Sequence, residues 1–190
     1  GMFDKVIVST DDQEIADIAE TYGAEIPFLR SSDISGDYAS TNDVITHAIK
    51  WYQKENVDLE AVCCIYATSP FLRKIDLLSA SEFLNNDTDF VFSAAEFSYP
   101  IFRSFSLDKN NRVKMFWPEN FDKRSQDLAK AYHDAGMFYF GKPAAFLEGK
   151  PFFAEYAKAY ILPHYRVQDI DTMDDWYQAE KYYQLLEGKL

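Results

Sequence analysis

Positive charge is in short supply in this sequence: 19 Lys and Arg stand against 31 Asp and Glu, for a net charge of -12 and a pI near 4.6. Proteins that track nucleic-acid phosphates draw most of their affinity from clustered Lys and Arg, so that class is excluded. Any polyanionic ligand has to be held locally, through a few placed donors or a metal ion. Cysteine is nearly lacking too. Cys63 and Cys64 adjoin inside an apolar run, where successive strand side chains point to opposite faces and do not pair; two buried thiols in a reducing cytosol are expected rather than a disulfide scaffold. No apolar run is long enough to span a membrane. The opening Gly1-Met2-Phe3-Asp4-Lys5 passes straight into a strand pattern without a secretory signal, which reads as a cytoplasmic protein. Internal repeats, low-complexity tracts and flexible linkers are missing as well.

What is abundant is apolar and aromatic mass. Of the 190 residues 47% are apolar, with 16 Phe and 13 Tyr, enough to fill the core of a single domain over 1–190. The β-branched run Lys5-Val6-Ile7-Val8-Ser9 predicts a buried parallel strand, and residues 25–29 a second. Between them Ile15, Ile18, Ala19 and Tyr22 recur at helical spacing, with Gly23 as the stop. A helix with Thr41 or Asn42 as cap follows, carrying Val44, Ile45, Ala48, Trp51 and Tyr52 on one face. Apolar runs at 61–66 and 90–94, separated by a helix through Leu77, Leu78 and Leu84, continue the alternation of a parallel α/β sheet. From about 97 to 132 the pattern changes to short aromatic runs around Asp108-Lys109-Asn110-Asn111, which predicts a hairpin in an inserted subdomain. Runs at 137–140 and 160–162 return to the main pattern. A last helix begins at the capping pair Thr172 and Asp175.

Just before that helix lies Gln168-Asp169-Ile170-Asp171. On an extended stretch Asp169 and Asp171 share one face while Ile170 takes the other. Two hard oxygen ligands suit Mg²⁺, which fills its remaining positions with water and phosphate oxygens; equally, two acids favour the positive end of the following helix. Asp11, at the carboxyl end of the first expected strand, can face a ribose, base or metal, or Asp11 and Asp12 can simply cap the next helix. Arg124, in Asp122-Lys123-Arg124-Ser125-Gln126, offers a guanidinium fork for a carboxylate or a surface salt bridge. His133 and Asp134 can orient a polar ligand or move a proton, with no Ser placed to complete a hydrolase triad. Phe152 and Phe153 suit either a pocket wall or the core.

Taken together, Ile7-Val8-Ser9-Thr10-Asp11-Asp12, Gly23-Ala24-Glu25-Ile26-Pro27-Phe28-Leu29-Arg30, Ala67-Thr68-Ser69-Pro70, Arg124-Ser125-Gln126-Asp127-Leu128, Ala131-Tyr132-His133-Asp134-Ala135-Gly136 and Asp169-Ile170-Asp171-Thr172 carry a family pattern. The chain resembles the acylneuraminate cytidylyltransferases over almost its whole length, and within them the branch that acts on pseudaminic acid. The resemblance implies a mostly parallel, Rossmann-like sheet of the nucleotide-diphospho-sugar transferase type, with the 97–132 segment as an inserted dimerisation subdomain. It implies attack of a sugar hydroxyl on the α-phosphorus of CTP, giving a CMP-activated nine-carbon 2-keto sugar acid and pyrophosphate. By position Asp169 and Asp171 match the catalytic magnesium ligands, Arg30, Thr41 and Asp11 the nucleotide contacts, and Arg124, Tyr66, His133, Phe152 and Phe153 the sugar contacts. A homodimer, with Arg124 contributed in trans, is implied as well.

Tyr66 stands where sialic acid enzymes of the family carry Gln, and Ala135 where they carry Asn. Losing amide donors and acceptors beside the sugar favours a deoxygenated, diacylamino acid over sialic acid, since an unmatched buried polar group costs on the order of 1–3 kcal/mol. Sialic or legionaminic acid is the alternative substrate, and a non-catalytic CMP-sugar-binding or scaffolding relative the alternative of another class. The family's opening strand and its Gly-, Arg- and Lys-rich phosphate loop have no counterpart in these residues. The expectation is therefore a chain short of donors for the β- and γ-phosphates, with exposed strand edges that need covering.

Overall fold

A computed structural model describes residues 1–36 and 38–188. Four strands, β1 (Val62–Ile65), β2 (Phe90–Glu96), β5 (Tyr132–Gly141) and β6 (Ala157–Leu162), form the central sheet in the order β1-β5-β2-β6. The pairings of β1 and β2 with β5 are antiparallel and that of β2 with β6 is parallel, so β1, β2 and β6 run one way and β5 the other. Two further strands, β3 (Phe105–Leu107) and β4 (Val113–Met115), make the expected hairpin as a separate two-stranded sheet within 97–132.

The sheet's two faces follow from alternation along each strand. In β2, Val91 joins Cys63, Phe138 and Phe140 beneath α3 (Lys74–Ser81) and α5 (Met173–Leu186), which supply Leu77, Ala80 and Ala179. Phe90 points the other way, into Ile45 and Ile49 of α2 (Thr41–Lys54) and Ala145 and Phe146 of α4 (Pro143–Leu147). Cys63 and Cys64 therefore lie on opposite faces as free thiols. Burial pushes each thiol up, Cys64 to about 11.

Three expectations need correction. The run at 5–9 is not a buried strand. It meets 25–29 only through isolated parallel bridges, Ile7 with Glu25 and Thr10 with Leu29, while Val6 is 56% exposed and Lys5 reaches Glu25 at 2.9 Å. Among the described residues no third strand flanks this ribbon, and a lone pair of stretches buries too little to form a regular sheet. The run at 137–140 belongs to a longer strand that is antiparallel. The segment after β2 returns at the same end of the sheet, pairing Tyr132 with Glu96, without the crossover helix that a parallel return requires. Finally, α2 is capped by Ser40, one residue earlier than expected. Its hydroxyl accepts from Asp43 N at 3.2 Å, and the Asp43 carboxylate takes Ser40 N at 3.0 Å, a capping box that leaves the Thr41 hydroxyl free.

The other two long helices start as their sequences indicate. α1 (Gln13–Thr21) is capped by Asp12, which accepts from Glu14 N at 2.7 Å and Ile15 N at 3.0 Å. α5 is capped by Thr172 with Asp175. No helix among the described residues is long and apolar enough to cross a membrane.

Gly141 closes β5 where a side chain has no room: a Cβ there lies 2.5 Å from the Phe146 ring and 2.6 Å from the Phe90 ring. Both rings are fully buried. Gly141→Ala is expected to lower unfolding stability by about 1–3 kcal/mol, read from urea denaturation; an unchanged midpoint contradicts this packing.

Candidate active site

The carboxyl ends of β1, β2 and β6 meet the start of β5 at one edge of the sheet, the edge at which α/β sheets of this kind build ligand crevices. In the 6–10 and 25–30 ribbon, whose Phe28 packs on His47 and Trp51 of α2, Arg30 N donates to Thr10 O at 2.8 Å, and the Arg30 guanidinium reaches Asp11 at 3.2 Å. With Asp12 committed to the helix cap, Asp11 is free for this pair. Arg30 Nε and Ser9 Oγ are buried without a partner among the described residues, as are Nε and Nη1 of Arg166 in the segment before α5.

A bulge shapes the middle of the edge. Phe92 pairs with Tyr139 and Ala94 with Asp134, so Ser93 alone faces the four residues 135–138. Gly136 takes the left-handed φ of +60° that the bulge requires. The Ser93 hydroxyl accepts from Met137 N and Phe138 N, each at 3.1 Å. Met137 O turns outward to accept from Tyr66 N at 3.0 Å and Ser69 Oγ at 3.2 Å, which ties the 66–69 turn to the bulge.

The result is a cluster of rings and hydroxyls. Tyr66 packs on Tyr139 with centroids 5.5 Å apart, Phe152 on Tyr139 at 4.9 Å, and Phe153 on Phe92 at 5.0 Å. Tyr66 exchanges a hydrogen bond with Thr41, and Tyr139 donates one to Asp134. Burial, and then the Asp134 carboxylate, push the Tyr139 phenol well above its ordinary range. Phe152 also meets Phe90 at 4.9 Å, so it serves the core as well as the wall, whereas Phe153 is 67% exposed.

The segment from β6 to α5 is fixed by a buried ion pair. Arg166 Nη2 donates to Asp76 Oδ2 at 2.7 Å, with both side chains under 5% exposed. Arg73 adds its backbone N at 3.1 Å and its Nε at 3.3 Å to the same oxygen. Ile170 packs on the core while Asp169 and Asp171 are exposed, the alternation the spacing predicts. Neither carboxylate has a hydrogen-bond or ion-pair partner among the described residues, and no group of three metal-ligating side chains forms there. Two free carboxylates meet the needs of an ion that completes its shell with water and phosphate oxygens.

His133 and Arg124 lie elsewhere. His133 packs on Phe97 at 4.9 Å and lines an open cleft of about 650 Å³ with Tyr99, Arg103 and Ser125. Arg124, beside Ser125, is exposed without a side-chain partner among the described residues. The structure thus joins Asp11 to Arg30, and Thr41 to Tyr66 and Phe152, while His133 and Arg124 belong to the 97–132 side. Tyr139 and Arg166 escaped the sequence reading. Gly136 inside an apolar run was the available sign of a bulge; nothing in the sequence marked the partnership of Arg166 with Asp76, 90 positions away.

The profile of the cytidylyltransferase family matches residues 1–185. The chain belongs to the cytidylyltransferase family. It is 48% identical over 176 residues to the pseudaminic acid cytidylyltransferase of Campylobacter jejuni, spanning 92% of this chain and 76% of that one. It is 30% identical to the CMP-N,N'-diacetyllegionaminic acid synthase of Legionella pneumophila, over 98% of this chain and 81% of that one. The solved structure of CMP:2-keto-3-deoxy-manno-octonic acid synthetase complexed with CTP shares the fold, with a TM-score of 0.61 at 12% identity, covering 98% of this chain and 82% of that one. The cytidylyltransferase is thus an α/β enzyme of the nucleotidyltransferase fold.

Removing Arg166 leaves Asp76 buried with Arg73 as its remaining cationic partner. Arg166→Met is therefore expected to cost about 1–3 kcal/mol of stability, and Arg166→Met with Asp76→Asn to recover part of it, both measured by urea unfolding. Equal losses in the single and double variants contradict this coupling.

Proposed function

We propose that this cytidylyltransferase joins CTP to a nine-carbon 2-keto sugar acid, with pseudaminic acid as the acceptor, releasing pyrophosphate. The observation that carries the reading is the contact between Thr41 and Tyr66, which sets a nucleotide side and a sugar side next to each other at the ligand-binding edge of the sheet. On the nucleotide side, Arg30 and Asp11 bind and orient ribose and base. On the sugar side, Tyr66, Tyr139, Phe152 and Phe153 form the wall. Pseudaminic acid is favoured by the 48% identity to the Campylobacter jejuni relative and by this wall's aromatic, hydroxyl-bearing character.

Asp169 and Asp171 would hold Mg²⁺, which supplies charge neutralisation at the triphosphate and its departing pyrophosphate. The ion pair of Arg166 and Asp76 fixes the segment on which the two acids stand, so their spacing is set before substrate arrives.

A second copy of the chain completes this reading. The 97–132 segment exposes Tyr99, Phe105, Leu107, Val113, Phe116 and Phe121, apolar side chains that a partner can take out of water. Pairing through this insert covers it and brings Arg124 to the sugar carboxylate of the neighbouring site, for which a guanidinium fork is well matched. The free thiols Cys63 and Cys64 suit a reducing cytoplasm, where CTP is made.

Pyrophosphate release by the protein tests the assignment, with pseudaminic, legionaminic and sialic acids compared in the presence of Mg·CTP. Turnover is expected to be highest with pseudaminic acid, to stop with EDTA and return with Mg²⁺. Asp171→Asn is expected to lose about 100-fold or more in kcat. Near-full activity of the folded variant contradicts the metal assignment, and silence with every sugar acid contradicts the function.

A further inference from the structure

In a regular strand Asp134 and Tyr139 stand about 17 Å apart on opposite faces, at about 3.4 Å per residue. The bulge folds them together instead, so that the Tyr139 hydroxyl donates to Asp134 Oδ2 while Gly136 N donates to Oδ1 at 2.9 Å. One carboxylate is thereby held at both oxygens, by a phenol from one side of the bulge and a backbone N–H from within it. Bulges that re-aim a side chain beside a site in this way are built features of sheets.

An ionised carboxylate accepts at about four lone-pair positions, and the phenol and the amide occupy two. Asp134 is only partly buried, so its remaining lone pairs are open to a ligand. The neighbours point the same way. Tyr139 spends its only donor on Asp134 and can offer its oxygen solely as an acceptor, while Tyr66 is engaged with Thr41. The side chains of Tyr139 and Tyr66 thus offer acceptors and aromatic faces, while the neighbouring His133 turns its Nδ1 to the Asp134 backbone oxygen at 2.8 Å. A sugar carboxylate is repelled there. An amide N–H, which can only donate, is fully matched, and its acyl methyl group meets the rings of Tyr66 and Phe152.

Resting on the acceptor class proposed above, we propose that Asp134 is a specificity-determining residue that accepts a hydrogen bond from an acylamino N–H of the sugar, with the sugar's own carboxylate turned away from it. Tyr139 positions that carboxylate. Sugars bearing a hydroxyl at the same place lose less when Asp134 is changed, because a hydroxyl can turn and donate elsewhere.

The test compares wild type, Asp134→Asn and Tyr139→Phe on diacylamino and hydroxylated nine-carbon acids, with KM for CTP as the internal control. Asp134→Asn is expected to raise KM for the diacylamino acid about ten-fold or more and to shift the preference ratio toward sialic acid by about five-fold. KM for CTP should stay within about two-fold. Tyr139→Phe, which leaves Asp134 without its orienting phenol, is expected to shift the same ratio by about three-fold, and decides the matter if the first variant does not fold. An unchanged sugar preference in folded, active variants overturns this inference alone, as does an equal loss for CTP. A wild-type protein silent on every sugar acid overturns it together with the proposed function.

Discussion

The site depends on one buried hydroxyl. Ser93 is fully buried beneath the bulge of β5, where its oxygen accepts from Met137 N and Phe138 N and its proton turns to Phe138 O at 3.4 Å. Two main-chain donors that the bulge pulls out of the ladder are satisfied by a single side chain. Each, left unpaired in the interior, costs on the order of 1–3 kcal/mol. With them satisfied, Met137 O is free to hold the 66–69 turn, Tyr139 swings back to Asp134, and Tyr66 is set where Thr41 can meet it. The aromatic wall, the turn after β1 and the start of α2 are joined through this irregularity in the ladder.

A second constraint is electrostatic. A protein with a net charge of -12 cannot hold a triphosphate or an acidic sugar by general attraction, so binding falls to a few committed groups. The structure keeps such groups in reserve. Arg30 pairs with Asp11 while its Nε has no partner among the described residues, and Asp169 and Asp171 face outward while Ile170 and the ion pair of Arg166 and Asp76 hold their segment down. An acidic surface with a small number of well-placed charged groups favours ligands that match the pattern over polyanions at large.

How far the sequence showed this differs from residue to residue. Runs with simple periodicity, such as those that became β1, β2 and β6, were plain to read, as were the Asp12 and Thr172 caps and the outward pair of Asp169 and Asp171. These depend on neighbours within a few positions. The strand at 5–9 was misread because β-branched composition reports what a stretch can do, while a strand needs a continuous ladder, and this run meets 25–29 only through isolated bridges. The direction of β5 was misread because it follows from where the insert returns, not from its own residues. Tyr139 was not singled out because its bond to Asp134 arises from the bulge, and the bulge is held by Ser93, 44 positions from Met137. Contacts of that kind leave no local trace.

The arrangement of the site is tested most directly by a crystal structure with a CMP-activated nine-carbon sugar acid. The account predicts the sugar ring against Tyr66, Tyr139 and Phe152, with the cytidine beside Arg30 and the phosphate toward Asp169 and Asp171. A sugar bound instead in the cleft of Phe97, Ser125 and His133, with the Tyr66 and Tyr139 wall bare, would contradict it.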